Sequence, residues 1–477
     1  MKRRVALIIS LLWVCLCGCF AEAEHLLGAL LEQKATQGAN IGIYIKNLTT
    51  GDIYADYRSE ALLVPASTMK ILTTATALEL LGSDFRFETY LQTNGKIENG
   101  ILHGNLYIYG KGDPTLGSQK VGNQNFLSVW VQELKRLGIR QIDGDIIADA
   151  SFFDGDAINP QWIWEDIGNY YAAGMYALPY LDNTLNVQLR SAGIGSVAEV
   201  VKTIPYIEGL QFENHIRCTE ITYDGAYVHG VPYSNLRYLT GSIPSNLGIF
   251  GVKGDIPNPP LLLAQHLCTR LQESGIKVNG KATFTAENSI KNRTVLYTHY
   301  SVPLSEIIRE TNQNSNNLYA EQIFRYIGYR IDVPCTIQNS VMVEQNVWRN
   351  RGISLSNCFV MDGSGLAPQD GISASLLVQL LQYMLFCEEK DSFWQSLPVS
   401  GQSGTLKGFL AGSELQGRVH AKSGTTSRVK SYAGYIDMPS GDTVAFAIIV
   451  NNATCKMKQV QTMIEKMLLD VYRAKKQ

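Results

Sequence analysis

Pro65-Ala66-Ser67-Thr68-Met69-Lys70 is the stretch from which the chain is read outward. Behind it Ile71, Leu72, Ala75, Leu78, Leu80 and Leu81 recur at helical spacing, and Gly82 is a natural stop. The spacing predicts that Ser67 opens a buried, mostly apolar helix with Lys70 one turn on, on the same face. In front of it, Ile41-Gly42-Ile43-Tyr44-Ile45 alternates, Thr49-Thr50-Gly51-Asp52 turns, and Ile53-Tyr54-Ala55 returns as a hairpin. Leu26 to Leu31 reads as a short helix before it.

The far end of the chain repeats this grammar. Leu304, Ile307 and Ile308 precede Ser315-Asn316-Asn317 at helical spacing, and Leu318, Ala320 and Ile323 follow. Arg418 to Lys422 reads as a strand running into Lys422-Ser423-Gly424. Ser431 to Asp437 and Val444 to Val450 form a hairpin across Pro439-Ser440-Gly441, and a last helix covers Lys456 to Tyr472. Strand-turn-strand near both termini, with helices between, predicts one sheet built from both ends of the chain. Residues 88 to 290 differ: they are strand- and loop-rich, with many Gly, Pro, Asn and Tyr, and read as a large insertion of more than one module. Within it Gly110-Lys111-Gly112-Asp113-Pro114 reads as a turn, not a phosphate loop. Asn125 to Leu137 reads as one helix with Asn125 as its cap.

Composition narrows the function. A net charge of -2 over 477 residues, with no long basic run, argues against a nucleic-acid partner held by counterion release. Lys2, Arg3 and Arg4 precede an apolar run from Val5 to Cys19, and Ala21-Glu22-Ala23 follows as a small-x-small cleavage site. That is the order of a secretory signal peptide. Leu16-Cys17-Gly18-Cys19 is a rival processing site of lipoprotein type, with lipid on Cys19. The run is shorter than the ~20 apolar residues of a spanning helix. The mature chain is therefore expected without a transmembrane span, exported to the periplasm or the outer face of a bacterial cytoplasmic membrane, soluble or tethered by one lipid. Six of the nine cysteines lie beyond the signal: Cys218, Cys268, Cys335, Cys358, Cys387 and Cys455. No CxxC pair occurs, so zinc ligation is not expected; disulfides and free thiols both fit.

Taken together, the three short motifs supply an acyl-transfer site that calls for no metal, no cofactor and no catalytic histidine. A serine hydroxyl is a weak nucleophile until a base takes its proton. Lys70 serves as that base only where its amine is neutral part of the time, and burial beside a second cation, Lys422, favours this. The helix N-terminus adds N–H groups for a developing oxyanion. Ser427-Arg428-Val429-Lys430 repeats the first motif but opens no helix, and it reads as a solvated loop. Ser364 sits between glycines without a Gly-x-Ser-x-Gly frame or a paired histidine, and is not taken as a nucleophile.

This ordered set resembles the S-x-x-K, S-D-N and K-T-G motifs of penicillin-recognising enzymes. The chain resembles, over nearly its whole mature length, the low-molecular-mass class C penicillin-binding proteins of the D-alanyl-D-alanine carboxypeptidase/endopeptidase family. Gly110 to Leu116, Val302 to Asn317, Asp362-Gly363-Ser364-Gly365-Leu366, Leu397-Pro398-Val399 and Gly404-Thr405-Leu406 carry the likeness, with the long separation between Ser67 and Ser315. It implies an α/β (α+β) core of serine β-lactamase/penicillin-binding transpeptidase type, a sheet flanked by helices, with a large β-rich two-module insertion. The implied division is 1–23 signal peptide, 24–88 first part of the core, 89–290 inserted domains and 291–477 second part of the core. Within the insertion, the second domain takes about 89–116 and 184–290 and the third about 117–183.

The resemblance implies Ser67 as nucleophile, Lys70 as its base, Ser315 as a proton relay to the departing D-alanine, Asn317 as holder of the peptide amide, and Lys422 in the proton network. Ser423, Gly424 and Thr425 bind substrate, with backbone N–H groups of Ser67 and Thr425 as oxyanion hole. The partners it implies are peptidoglycan stem peptides ending in D-Ala-D-Ala, with β-lactam antibiotics as covalent inhibitors. Asn316 stands where aspartate is common, and Ser423 where threonine is. Ala367 and Pro368 replace a usual serine and arginine, which opens the question of the peptide's third residue. Trp164, Asp166 and Tyr171 resemble the wall that meets the same group. A β-lactamase-type hydrolase and a non-catalytic wall-binding protein are the alternatives; the first requires fast deacylation, the second no loss of function without Ser67.

Overall fold

A computed structural model describes residues 27–287 and 292–476. The signal-like segment, Cys19 and Ala21-Glu22-Ala23 lie outside the described residues. Five strands form the central sheet: β1 (Asn40–Asn47), β2 (Ile53–Tyr57), β3 (Val419–Thr426), β4 (Val429–Asp437) and β5 (Thr443–Asn451). Their order is β3-β4-β5-β1-β2, with every neighbouring pair antiparallel. The two hairpins predicted at opposite ends of the chain meet along β1 and β5, where Ile43 pairs with Ile448.

The sheet is covered on both faces, and β5 shows why. Its side chains alternate. Val444, Phe446, Ile448 and Val450 join one core with Ile464, Met467 and Leu468 of the C-terminal helix. Ala445, Ala447 and Ile449 join the other with Leu377 and Leu381. Those leucines belong to the helix Ala374–Phe386, which lies against β1 and β5. Small side chains at 445 and 447 admit that helix closely.

Beyond it lies α1 (Lys70–Leu81), flanked by α2 (Leu304–Gln313) and α3 (Asn317–Ile327). Every residue of α1 from Lys70 to Leu78 is buried, the polar Lys70, Thr73, Thr74 and Thr76 included. Its buried threonines keep their hydrogen bonds: Thr73 donates to the Gly363 carbonyl (2.7 Å), and Thr76 receives the Trp348 indole N–H (2.8 Å). Leu377→Ala removes a fully buried side chain from the helix–sheet contact. It is expected to lower stability by about 2–5 kcal/mol, read as an earlier urea midpoint at unchanged slope.

The inserted residues make separate sheets. Glu88–Thr93, Leu106–Gly110, Ile146–Asp149, Ala282–Thr285 and Thr294–Tyr300 form one five-stranded sheet, backed by the helices Phe126–Arg136 and Pro259–Glu273. Thr184–Ser191 pairs with Glu199–Ile204 and Gly248–Asp255, while Leu236–Pro244 joins Gln211–Asn214, Arg217–Thr219 and Gly225–His229. Pairing thus draws other lines than those expected. Ile146–Asp149 pairs with Leu106–Gly110 across the expected 116/117 boundary. Residues 184–255 keep to their own sheets. The expected return at 290/291 falls outside the described residues, yet Thr294–Tyr300 still pairs with Glu88–Thr93. The chain re-enters the core where Ser301 N–H donates to the Phe87 carbonyl (2.9 Å). Alternation locates a strand without naming its partner. Asn125 does precede the helix Phe126–Arg136, but its side chain makes no cap bond; its own N–H instead donates to Asn123 Oδ1 (2.8 Å).

Candidate active site

The site begins with a turn tighter than the sequence pattern predicts. Ala66 has φ +49°, and Ala66–Met69 forms a 3₁₀ turn before α1 starts at Lys70. Three residues per turn eclipse positions i and i+3, so Ser67 and Lys70 stack directly. Lys70 Nζ donates to Ser67 Oγ at 3.0 Å. The same ammonium, fully buried, donates to Asn317 Oδ1 and to the Ser364 carbonyl, both at 2.7 Å.

Ser315 sits at φ +56° between α2 and α3. Asn316 follows as the α3 cap, its side chain accepting from Tyr319 N–H. Asn317 opens α3 and gives its Nδ2–H to the Tyr171 carbonyl (2.8 Å), tying the core to the inserted region. From β3, Lys422 Nζ donates to Ser315 Oγ (2.9 Å) and to the Ser423 carbonyl (2.8 Å). Ser423 Oγ donates to Thr405 Oγ1 (2.8 Å). Gly424 lies flat against the nucleophile turn: a Cβ there meets Ser431 Oγ at 2.3 Å, the Pro65 carbonyl at 2.7 Å and Ser67 N at 3.0 Å.

Electrostatics separate the two amines. Burial lowers Lys70 to about 8, against the opposing pull of Asp362, Glu321 and Asp370. Burial, then Lys70 and Lys430, push Lys422 well below the usual lysine range. Burial and the Lys422 cation were expected together to lower Lys70. Burial does so, Lys422 is not among the causes, and Lys70 is the cation that bears on Lys422.

A cavity of about 630 Å³ opens over Ser67, Ser315, Asn317 and Thr425. Its inserted wall carries Ile163, Glu165, Asp166, Tyr171 and Tyr227; its core wall carries Leu366 and Pro368. Tyr171 O–H donates to Asp166 Oδ1 (2.9 Å), and burial raises the Asp166 carboxyl. Trp164 is not brought to the cavity. It is 61% exposed and stacks on His229, ring centroids 5.9 Å apart. Ser364 contributes its carbonyl to Lys70, not a nucleophile. Ser427 and Arg428 occupy the exposed turn between β3 and β4. All six cysteines beyond the signal are free thiols. Among the described residues no group of three or more His, Cys, Asp or Glu is arranged to hold a metal.

Four residues near the site had no role in the sequence reading: Thr405, Glu321, Asp362 and Trp162. Thr405 and Asp362 stood inside stretches singled out there, but no spacing rule ties them to Ser423 or Lys70.

Comparisons with known proteins point to one family. The model of the D-Ala-D-Ala carboxypeptidase 3 (S13) family matches residues 23–471. The D-alanyl-D-alanine carboxypeptidase DacB of Haemophilus influenzae is 28% identical over 428 residues, covering 88% of this chain and 87% of its own. The D-alanyl-D-alanine carboxypeptidase of an Actinomadura species is 29% identical over 445 residues, covering 90% and 81%. Among solved structures, penicillin binding protein 4 (dacB) of Haemophilus influenzae superposes with a TM-score of 0.81 at 26% identity, covering 95% of this chain and 99% of its own. The same protein complexed with a β-lactam gives 0.78 at 25% identity, covering 94% and 99%.

Proposed function

The chain belongs to the D-Ala-D-Ala carboxypeptidase 3 (S13) family, and from that premise we propose that it is an exported serine-type D-Ala-D-Ala carboxypeptidase of peptidoglycan stem peptides, acting through an acyl-enzyme and inhibited by penicillin. Endopeptidase action on cross-linked peptides uses the same acylation step. One observation carries the reading: Lys70 Nζ, 3.0 Å from Ser67 Oγ, is held by Asn317 and Ser364 in a buried site that lowers it to about 8.

The proposed steps start from that contact. Lys70, when neutral, takes the Ser67 proton, and Ser67 Oγ bonds to the carbonyl carbon between the two D-alanines. Lys422 already donates to Ser315 Oγ, so the Ser315 proton is free to point into the cavity toward the departing amine. The C–N bond breaks, that proton passes to the amine of D-alanine, and Lys422 and Lys70 restore the relay. The N–H groups of Ser67 and Thr425 receive the oxyanion. Asn317 and Thr425 hold the peptide amide and carboxylate, with Ser423 and Gly424 shaping the strand behind them; Asp166 and Tyr171 face the rest of the peptide. Water then cleaves the ester. Export rests on the N-terminal segment, and with it the choice between cleavage after Ala23 and lipid on Cys19. No helix among the described residues is long and apolar enough to cross a membrane.

Intact-mass analysis of the mature protein with and without penicillin G tests the reading. The expected result is a mass gain of one intact antibiotic, on the tryptic peptide containing Ser67, and D-alanine release from a D-Ala-D-Ala peptide without antibiotic. Rapid turnover of penicillin with no lasting adduct points instead to a β-lactamase-type hydrolase.

The pH dependence has a definite sign. The base is the neutral amine, so the reactive fraction grows as pH rises. With Lys70 near 8, about a tenth is neutral at pH 7 and half at pH 8. The acylation rate is expected to rise about tenfold per pH unit below 7.5 and to level above 9, as followed by stopped-flow with a chromogenic β-lactam.

A further inference from the structure

Lys70 is held from behind as well as from the cavity. Its acceptor, the Ser364 carbonyl, belongs to a loop gathered around one fully buried carboxylate, Asp362. Asp362 Oδ1 accepts the N–H groups of Ser364 (3.1 Å), which is shared with Glu321 Oε1 (2.8 Å), and Gly365 (2.6 Å). Oδ2 accepts those of Leu366 (3.1 Å) and Ala367 (2.7 Å), and the indole N–H of Trp162 (2.8 Å). Four of the five donors come from the loop that presents the Lys70 acceptor and carries the core wall of the cavity. The fifth comes from the inserted segment that continues into Ile163, Glu165 and Asp166, the opposite wall. One side chain therefore fixes three things at once. Buried, multiply bonded charges of this kind cost much to desolvate and persist where their partners are complete.

We propose that Asp362 is a positioning residue of this active site, and that Trp162 makes it common to the catalytic loop and the inserted wall. The proposal rests on reading Lys70 as the base for Ser67. Asp362 is also the strongest of the influences that keep a proton on Lys70. The other titratable groups around Lys70 are Glu321 on α3, Asp370 in the same loop and Lys422 on β3. Glu321 in turn bears on Glu344, on the helix Ile337–Asn350. Burial, followed by Asp362, raises both Glu321 and Asp370. Asp362 accepts more N–H bonds than either of them and is the carboxylate around which the loop is folded.

A positioning role of this kind gives two variants opposite signatures. Asp362→Asn removes the counter-charge, so Lys70 loses its proton more readily. The midpoint of the pH–acylation profile is expected to move down by about one unit, with the plateau lowered about tenfold as the loop loosens. Trp162→Phe keeps the apolar body but removes one donor, leaving the carboxylate charge less neutralised. The midpoint is expected to move up by a few tenths of a unit, with a smaller loss of plateau.

The measurement is stopped-flow acylation by nitrocefin from pH 6 to 10, on the mature chain and both variants, with circular dichroism to verify folding. Shifts of opposite sign support the proposal. A folded Asp362→Asn protein whose profile superimposes on wild type overturns it, as do shifts of the same sign in both. If Asp362→Asn does not fold, Trp162→Phe decides alone, and an unmoved midpoint overturns the proposal. A wild-type protein that is acylated without any rise with pH overturns the base reading itself, and the proposal with it.

Discussion

Lys70→Met is expected to lower the rate of Ser67 acylation by about 10³-fold or more while the protein stays folded. The amine is fully buried in α1 and lies between Ser67 Oγ, Asn317 Oδ1 and the Ser364 carbonyl. Methionine has nearly the same length and no charge, so it fills the space without an unpaired buried cation. Three acceptors lose a donor, a local loss of about 1–3 kcal/mol. Ser67 keeps its position but has no proton acceptor within reach. General-base catalysis supplies about 10²–10⁴-fold, and the nucleophile itself depends on the base here. The residual rate is expected to lose its rise with pH, because the group that produces the rise is gone. Stopped-flow acylation from pH 6 to 10 reads both effects. A residual rate that still doubles between pH 7.5 and 8.5 assigns the rise to another group.

Gly365→Ala is expected to have a comparable effect through geometry alone. Gly365 has φ +78°, and a Cβ there comes within 1.9 Å of the Ala66 carbonyl oxygen and 2.4 Å of its carbon. Neither atom belongs to a flexible side chain. The collision is relieved only by moving the Ala66–Met69 turn, which carries Ser67, or the loop that holds Lys70 through Ser364. Displacing a nucleophile by about 1 Å lowers the rate about 10²-fold. The strain and overpacking together lower stability by about 1–3 kcal/mol. Gly155→Ala is the control: nothing lies within 4 Å of its Cβ position. Acylation kinetics and urea unfolding on both variants separate the two; equal rates in Gly365→Ala and wild type mean that the turn yields without moving Ser67.

The core was legible because it is written in short-range patterns. Alternation placed β1, β2, β4 and β5, and a 3.6-residue period with a terminal glycine bounded α1. The three motifs were legible as a set because each occupies a recognisable local context. The inserted region was legible only as strand-rich. Its strands are two to nine residues long, and nothing within such a strand says which distant segment it will pair with. That is why the boundary expected at 116/117 runs through a sheet. Trp164 shows the same limit on a smaller scale. A tryptophan two residues from Trp162 and two from Asp166 has the same composition signal as either neighbour, yet it faces outward onto His229 while Trp162 reaches Asp362.

What the amino-acid sequence determined by itself was the inventory and its local geometry: a nucleophile and an amine three residues apart at a helix start, a second serine before another helix, and a lysine in a strand, which runs on past it to Thr426. Helical and strand periods follow from backbone sterics over a few residues, so they need no knowledge of the rest of the chain. Only the tertiary structure decided which amine touches which hydroxyl, how far each is stripped of water, and that a wall from the inserted region closes the cavity and shares the Asp362 carboxylate with the catalytic loop. Those properties depend on burial and on contacts between residues hundreds of positions apart. Desolvation and hydrogen bonding, which set the charge on Lys70, come into being only when the segments pack together.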